Sequence, residues 1–113
     1  MKYSESVENR VLTVSMFLSD SEYLLWRKEL DGKECSKVYF EFNNQSNGGY
    51  NHIAEISLMR DGIHLVKSDY TLEHFYFDIS FKDYNKLVRA LIQIYSHNPE
   101  VIDVIDVIDV IDE

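Results

Sequence analysis

Val38-Tyr39-Phe40-Glu41-Phe42-Asn43-Asn44-Gln45-Ser46-Asn47-Gly48-Gly49-Tyr50-Asn51-His52-Ile53 is the stretch on which the fold turns. Val38, Phe40 and Phe42 fall on one side of an extended chain, Tyr39 and Glu41 on the other, which is the period-two alternation of a half-buried strand. A polar run with Gly48-Gly49 follows, and a further strand is expected from His52-Ile53-Ala54-Glu55-Ile56 onward. The stretch therefore predicts a hairpin that displays side chains. A glycine loop that cradles phosphate would instead open a helix, with backbone N–H groups at its N-terminus and a lysine behind them.

Working outward, residues 11–18 alternate with Leu12, Val14, Met16 and Leu18 on one face and predict a first strand. Residues 23–30 are open to two readings. Leu24, Trp26 and Leu30 suit a strand face, Ser21 could cap a short helix, and the strand is the expectation adopted. After the hairpin, Ala54, Ile56 and Leu58 are expected inward. Asp61-Gly62 is a dipeptide that favours a tight hairpin returning through Ile63 and Leu65, and Phe75, Phe77 and Ile79 mark a last strand.

Ser80 then stands as an N-cap with Asp83 in the capping-box position. Phe81, Tyr84, Leu87, Val88, Leu91, Ile94 and Tyr95 recur at helical spacing, predicting a helix to about His97, ahead of Pro99. Its apolar stripe needs a sheet to cover. The expected architecture is α+β: an antiparallel β-meander of about five to six strands with one C-terminal helix packed on one face.

Residues 1–98 are expected to form one domain, long enough to bury about two-thirds of the surface its unfolded chain exposes. A hydrophobic content of 45% with 13% aromatics argues against disorder. Residues 99–113 form an acidic tail in which Val-Ile-Asp repeats four times, and a period of three matches neither helix nor strand. A duplicated coding unit is its plainest explanation. If ordered, its Val-Ile pairs favour an extended segment.

Net charge is −9, of which six negatives lie at Glu100, Asp103, Asp106, Asp109, Asp112 and Glu113, leaving −3 over residues 1–99. A negative surface repels nucleic-acid phosphates and anionic lipid, so direct nucleic-acid or membrane binding is not expected and a basic protein partner fits better. Cys35 is the single cysteine, which excludes an internal disulfide and points to a reducing compartment. The first twenty residues lack the charge pattern of a secretion signal, and no apolar run nears the roughly 18 residues of a membrane span. A cytoplasmic location is the expectation.

Catalytic signals are weak. His52, His64, His74 and His97 have no metal-ligand spacing, Cys35 has no base beside it in sequence, and no nucleophile elbow, dinucleotide fingerprint or P-loop is present. Neither enzyme activity, nor a metal, nor a cofactor is expected. What remains is the sheet face away from the helix, where alternation places Tyr39, Glu41, Glu55, Ser57, Met59, His64, Val66, Tyr76 and Asp78. Such a list suits an ordinary solvent face, or a protein-binding face in which tyrosine offers large contact area at low entropy cost.

Several stretches together carry a resemblance: Tyr23-Leu24-Leu25-Trp26-Arg27, then 38–45 with Gly49-Tyr50 and Ile53, then Ile56-Ser57-Leu58-Met59-Arg60-Asp61-Gly62-Ile63, and Phe77-Asp78-Ile79. In order and spacing they resemble the bacterial immunity protein family numbered ten, found beside polymorphic toxins, over roughly residues 10–96. Two departures stand out: Asn44 occupies a position where the family has an acid, and the repeat tail has no counterpart.

The resemblance implies a small cytoplasmic antidote that binds one cognate toxin domain, basic and often a nuclease, and blocks it without turnover. Candidate contacts, chosen by position and chemistry, are Glu41, Asn44, Tyr50, Glu55 and Tyr76. The same hairpin residues also admit a structural role, with Asn43, Asn44 and Gln45 bonding turn backbone and Gly48 or Gly49 taking positive φ. The alternative function is a small adaptor or subunit that docks into a larger assembly by its sheet face.

Overall fold

The computed structural model describes residues 1–33, 35–78 and 81–105. Its class is α+β, mostly strands, with one helix toward the C-terminal end. Instead of one meander, the described strands number nine and divide between two sheets. The first is an antiparallel meander of five: β1 (Lys2–Glu8), β2 (Val11–Phe17), β3 (Tyr23–Glu29), β4 (Val38–Phe42) and β5 (Asn44–Tyr50). The second has the order β8-β7-β6-β9, from β6 (Ile53–Met59), β7 (Gly62–Lys67), β8 (Leu72–Tyr76) and β9 (Ile102–Val104), with β9 parallel to β6. Between β8 and β9 lie α1 (Tyr84–Ile94) and a 3-10 turn at Pro99–Val101.

Alternation decides most of the inward faces. Leu12, Val14 and Met16 on β2, Leu24 and Trp26 on β3, and Val38, Phe40 and Phe42 on β4 are buried. They share one core with Ile56, Leu58, Ile63, Leu65 and Phe75 of the second sheet and with Leu87, Leu91 and Ile94 of α1. Each of these helix side chains is fully buried, which contributes about 2 kcal/mol apiece. Trp26 packs on Phe40 with ring centroids 5.1 Å apart, and an edge-on contact of Phe42 with Phe75 at 5.9 Å joins the two sheets. Phe77 is buried just past β8, while Ile79 and the expected cap Ser80 lie outside the described residues. The helix begins at Tyr84 after Asp83 and ends at Ile94, earlier than His97, with a turn covering 95–97.

Four local expectations are corrected. The residue completing the inward row of β3 is Lys28, 4% exposed, and not Leu30, because the strand stops at Glu29. The Lys28 amine reaches the end of α1, 3.1 Å from the Ser96 hydroxyl and 3.5 Å from the Gln93 carbonyl, where a cation complements the helix dipole. Burial pushes its pKa down.

On β6 a register shift between Ile53 and Glu55 turns Ala54 out and Ile53 in. The β6–β7 turn is Arg60-Asp61, since Met59 pairs with Gly62. Gly62 serves close approach there, as a Cβ would stand 2.7 Å from the Phe75 carbonyl oxygen.

The largest correction concerns the opening stretch. Its polar run is not a loop between two paired strands: Asn43, at φ 61°, turns the chain at once, and residues 44–50 return as β5 along β4. Asn51, at φ 53°, then turns it out of the first sheet, so β4 and β6 lie in different sheets. Asparagine adopts this left-handed geometry more readily than most side chains, and here each amide oxygen also accepts from the backbone of another segment. The Asn43 amide oxygen accepts from the Tyr23 N–H at 2.9 Å, and that of Asn51 from the Val38 N–H at 3.3 Å. The fifth strand, β1, gave little sequence signal because it is an edge strand whose one half-buried residue is Tyr3. It reaches β2 through Asn9-Arg10, both at positive φ, the turn geometry that matches strand twist.

Candidate functional site

Along β4 and β5, Tyr39 pairs with Tyr50, Phe40 with Gly49 and Phe42 with Asn44. Four residues of β5, 45–48, therefore stand opposite the single residue Glu41, a bulge larger than the usual two against one. Short local bonds hold it: the Asn44 side chain accepts from the Ser46 N–H at 2.9 Å, and the Asn47 amide donates to the Phe42 carbonyl at 3.0 Å. The bulge brings Gly48 down onto the outer face, where a Cβ would lie 2.5 Å from the Tyr39 hydroxyl and 2.9 Å from the Glu41 Cβ. Gly48 and Gly49 thus provide space, and the positive φ expected of them belongs to Asn43 and Asn51.

Beneath Gly48, Glu41 is only 6% exposed although it points to the outer side. A buried carboxylate requires hydrogen bonds, and two tyrosines supply them. The Tyr39 hydroxyl donates to one Glu41 oxygen at 2.6 Å and the Tyr23 hydroxyl donates to the other. Donation to Glu41 is the main cause that raises both phenols, Tyr23 to about 12, with partial burial adding to it.

Around this clamp two ring pairs form a row, joined through the Glu41 carboxylate. Phe17 stacks on Tyr23 at 5.5 Å, Tyr50 meets Tyr39 edge-on at 5.4 Å, and the Arg27 guanidinium lies 5.4 Å from the Tyr39 ring centre. Tyr50 is 64% exposed and Phe17 44%, so both ends of the row face solvent.

Of the five candidate contacts, Glu41, Asn44 and Tyr50 meet in this hairpin, but Glu41 is a buried anchor and not a free contact. Glu55 and Tyr76 are exposed on the other sheet, because the single outer face expected is split in two. The same split takes Ser57, His64 and Val66 away from Tyr39. Phe17, Tyr23, Arg27 and Gly48 were missed. Strand alternation carried a signal for the first three, since each stands outward on its strand, but their adjacency depends on a register that only pairing defines.

Other constellations are thinner. His64 and His74 face one another across β7 and β8 with ring centres 3.7 Å apart, yet among the described residues no group of three or more His, Cys, Asp or Glu is placed to hold a metal. Cys35, with no base beside it in sequence, has His97 Nε2 3.8 Å from its sulfur in the fold, and the other nitrogen of that ring is 3.1 Å from the Lys28 amine. The groove between β1 and α1 mixes Glu5 and Asp83 with Lys86 and Arg89 and so favours neither sign of ligand. Among the described residues no helix is long and apolar enough to cross a membrane. No family model, curated protein or solved structure matches the chain.

Proposed function

We propose that this protein is a cytoplasmic immunity protein: it binds a cognate bacterial toxin domain, basic and most simply a nuclease, and neutralises it by covering the active site or substrate cleft. The observation that carries this reading is the aromatic row anchored on Glu41, with Tyr50 and Phe17 exposed at its ends. Tyrosines held in place before contact lose little entropy on binding, which is how a small face reaches high affinity. The four stretches that resemble immunity family ten in order and spacing include Tyr23, Arg27, Tyr39, Glu41 and Tyr50 of this row.

Charge supports the same partner. A net charge of −9 attracts the basic cleft with which a nuclease holds phosphate, raising association toward about 10⁸ M⁻¹s⁻¹ at low salt. The mechanism is steric and electrostatic blockade, with no chemical step, metal or cofactor.

The test is co-expression with the toxin domain encoded next to this chain. Cells survive and a complex co-purifies if the reading holds; death despite good expression of both chains sinks it. Within the complex, Phe17→Ala and Tyr50→Ala weaken binding while leaving the fold intact.

A second reading, a subunit or adaptor of a larger assembly, is favoured by Leu72 and Tyr76 on the edge strand β8, each 73% exposed. Substituting Tyr76 and Leu72 with serine discriminates the two. Loss of a larger complex, in a chain that leaves its neighbouring toxin active, favours the adaptor.

A further inference from the structure

The second sheet is closed by a piece of the repeat. β9 runs parallel to β6 with Ile102 beside Ile56, Asp103 beside Ser57 and Val104 beside Leu58. The Ile105 N–H donates to the Leu58 carbonyl at 2.9 Å. Ile56 and Leu58 are fully buried, and Val101, Ile102 and Val104 pack half-buried against the same core while Asp103 stays exposed. The edge of β6 therefore holds Ile102-Asp103-Val104 by strand addition, with main-chain bonds and alternate side chains both engaged, and Val101, the last residue of the preceding 3-10 turn, packs beside it, so that the seated segment reads Val-Ile-Asp-Val.

That segment occurs three times in the chain, at 101–104, 104–107 and 107–110. The repeat has a period of three and the pleat a period of two, so no long strand can be made from it. Ile105 already faces out, 46% exposed, and continued alternation would next ask an aspartate to enter the core. As a sequence, the tail is a row of strand-sized pieces, and any one of them seated on β6 can turn its apolar residues inward and its acid outward only by starting afresh.

We propose that the edge of β6 is a binding site for a Val-Ile-Asp-Val peptide whose last three residues add as a strand, and that the three copies in the chain are interchangeable ligands of that one site. Moving from one copy to the next preserves every residue of the bound segment and lengthens the connection from Ile94 by three residues. From about seven connecting residues to ten or thirteen, loop closure lowers occupancy only about two- to threefold. The first copy has an added advantage from the Pro99–Val101 turn, in which the Val101 N–H donates to the Asn98 carbonyl at 3.0 Å. The later copies are a reserve that keeps β6 from becoming an open edge, a hazard for strand-mediated aggregation. This inference does not depend on the immunity reading.

The test compares full-length variants. Ile102→Asp alone lowers Tm by no more than about 2 °C, because the next copy takes the site, whereas Ile102→Asp with Ile105→Asp and Ile108→Asp lowers it by about 5 °C or more. A capped Val-Ile-Asp-Val peptide at millimolar concentration restores part of that loss, and a scrambled peptide of the same composition does not. If the triple variant does not fold alone, refolding with each peptide is the readout, and recovery with only the ordered peptide supports the site. A single variant as damaged as the triple overturns interchangeability. A triple variant as stable as the parent overturns the site, as does equal recovery with both peptides, and a single-variant stability that rises with protein concentration overturns its intramolecular occupation.

Discussion

The outer faces of the two sheets draw on the same residue types and are organised differently. On the five-stranded sheet, Glu41 takes two tyrosine hydroxyls, Gly48 lies over it, and Phe17, Arg27 and Tyr50 lock onto the flanking rings. On the four-stranded sheet, Tyr76 touches the His74 ring at 4.3 Å and is 73% exposed, with Leu72 equally bare. The first face is held before any partner arrives. A buried acid is what makes the difference, because its demand for donors fixes where two tyrosines stand.

The contrast breaks most readily at Gly48. Gly48→Ala drives a methyl into Tyr39 and Glu41 and is expected to cost about 3 kcal/mol, measured by urea unfolding. A variant as stable as the parent would mean that the bulge does not seat on Glu41.

Next is Glu41→Ala, which leaves two half-buried hydroxyls without their acceptor and is expected to cost about 2 kcal/mol. It also changes the alkaline limb of stability. Tyr23 is raised from 10 to about 12, so the folded state keeps a proton that the unfolded chain releases. That contribution is present below pH 10 and lost as pH rises through about 12, and stability falls across this window. Glu41→Ala removes this part of the fall, and parallel slopes for parent and variant would exclude the clamp as its cause.

Smallest are the two exposed tyrosines. Tyr50→Ala costs about 0.5–1 kcal/mol through its edge-on contact with Tyr39, whereas Tyr76→Ala stays within about 0.5 kcal/mol of the parent. Calorimetric unfolding of both separates them, and equal losses would erase the distinction between the faces.

Legibility follows the range of the cause. Leu12, Val14, Met16, Leu24, Trp26, Phe40, Leu87 and Leu91 are inward as their periodicity indicates, because a half-buried element needs one apolar side whatever its neighbours are. The polar run 44–50 was not legible as a strand, since its burial pattern is that of an edge and its pairing depends on Asn43 turning the chain by itself. Lys28 shares the inward side of β3 with Leu24 and Trp26, and only the approach of the α1 C-terminus gives a cation in that position a reason.

The amino-acid sequence by itself determined the α+β class, the inward strand residues, the C-terminal helix and the acidic balance, all of which follow from local periodicity and composition. Only the tertiary structure decided that the strands part into two sheets at Asn51, that Glu41 is covered and not displayed, and that one triplet of the tail completes the second sheet. The physical reason is register. Which residues lie side by side is set by turns of one or two residues and by a bulge, and a shift of one position there rebuilds a whole face.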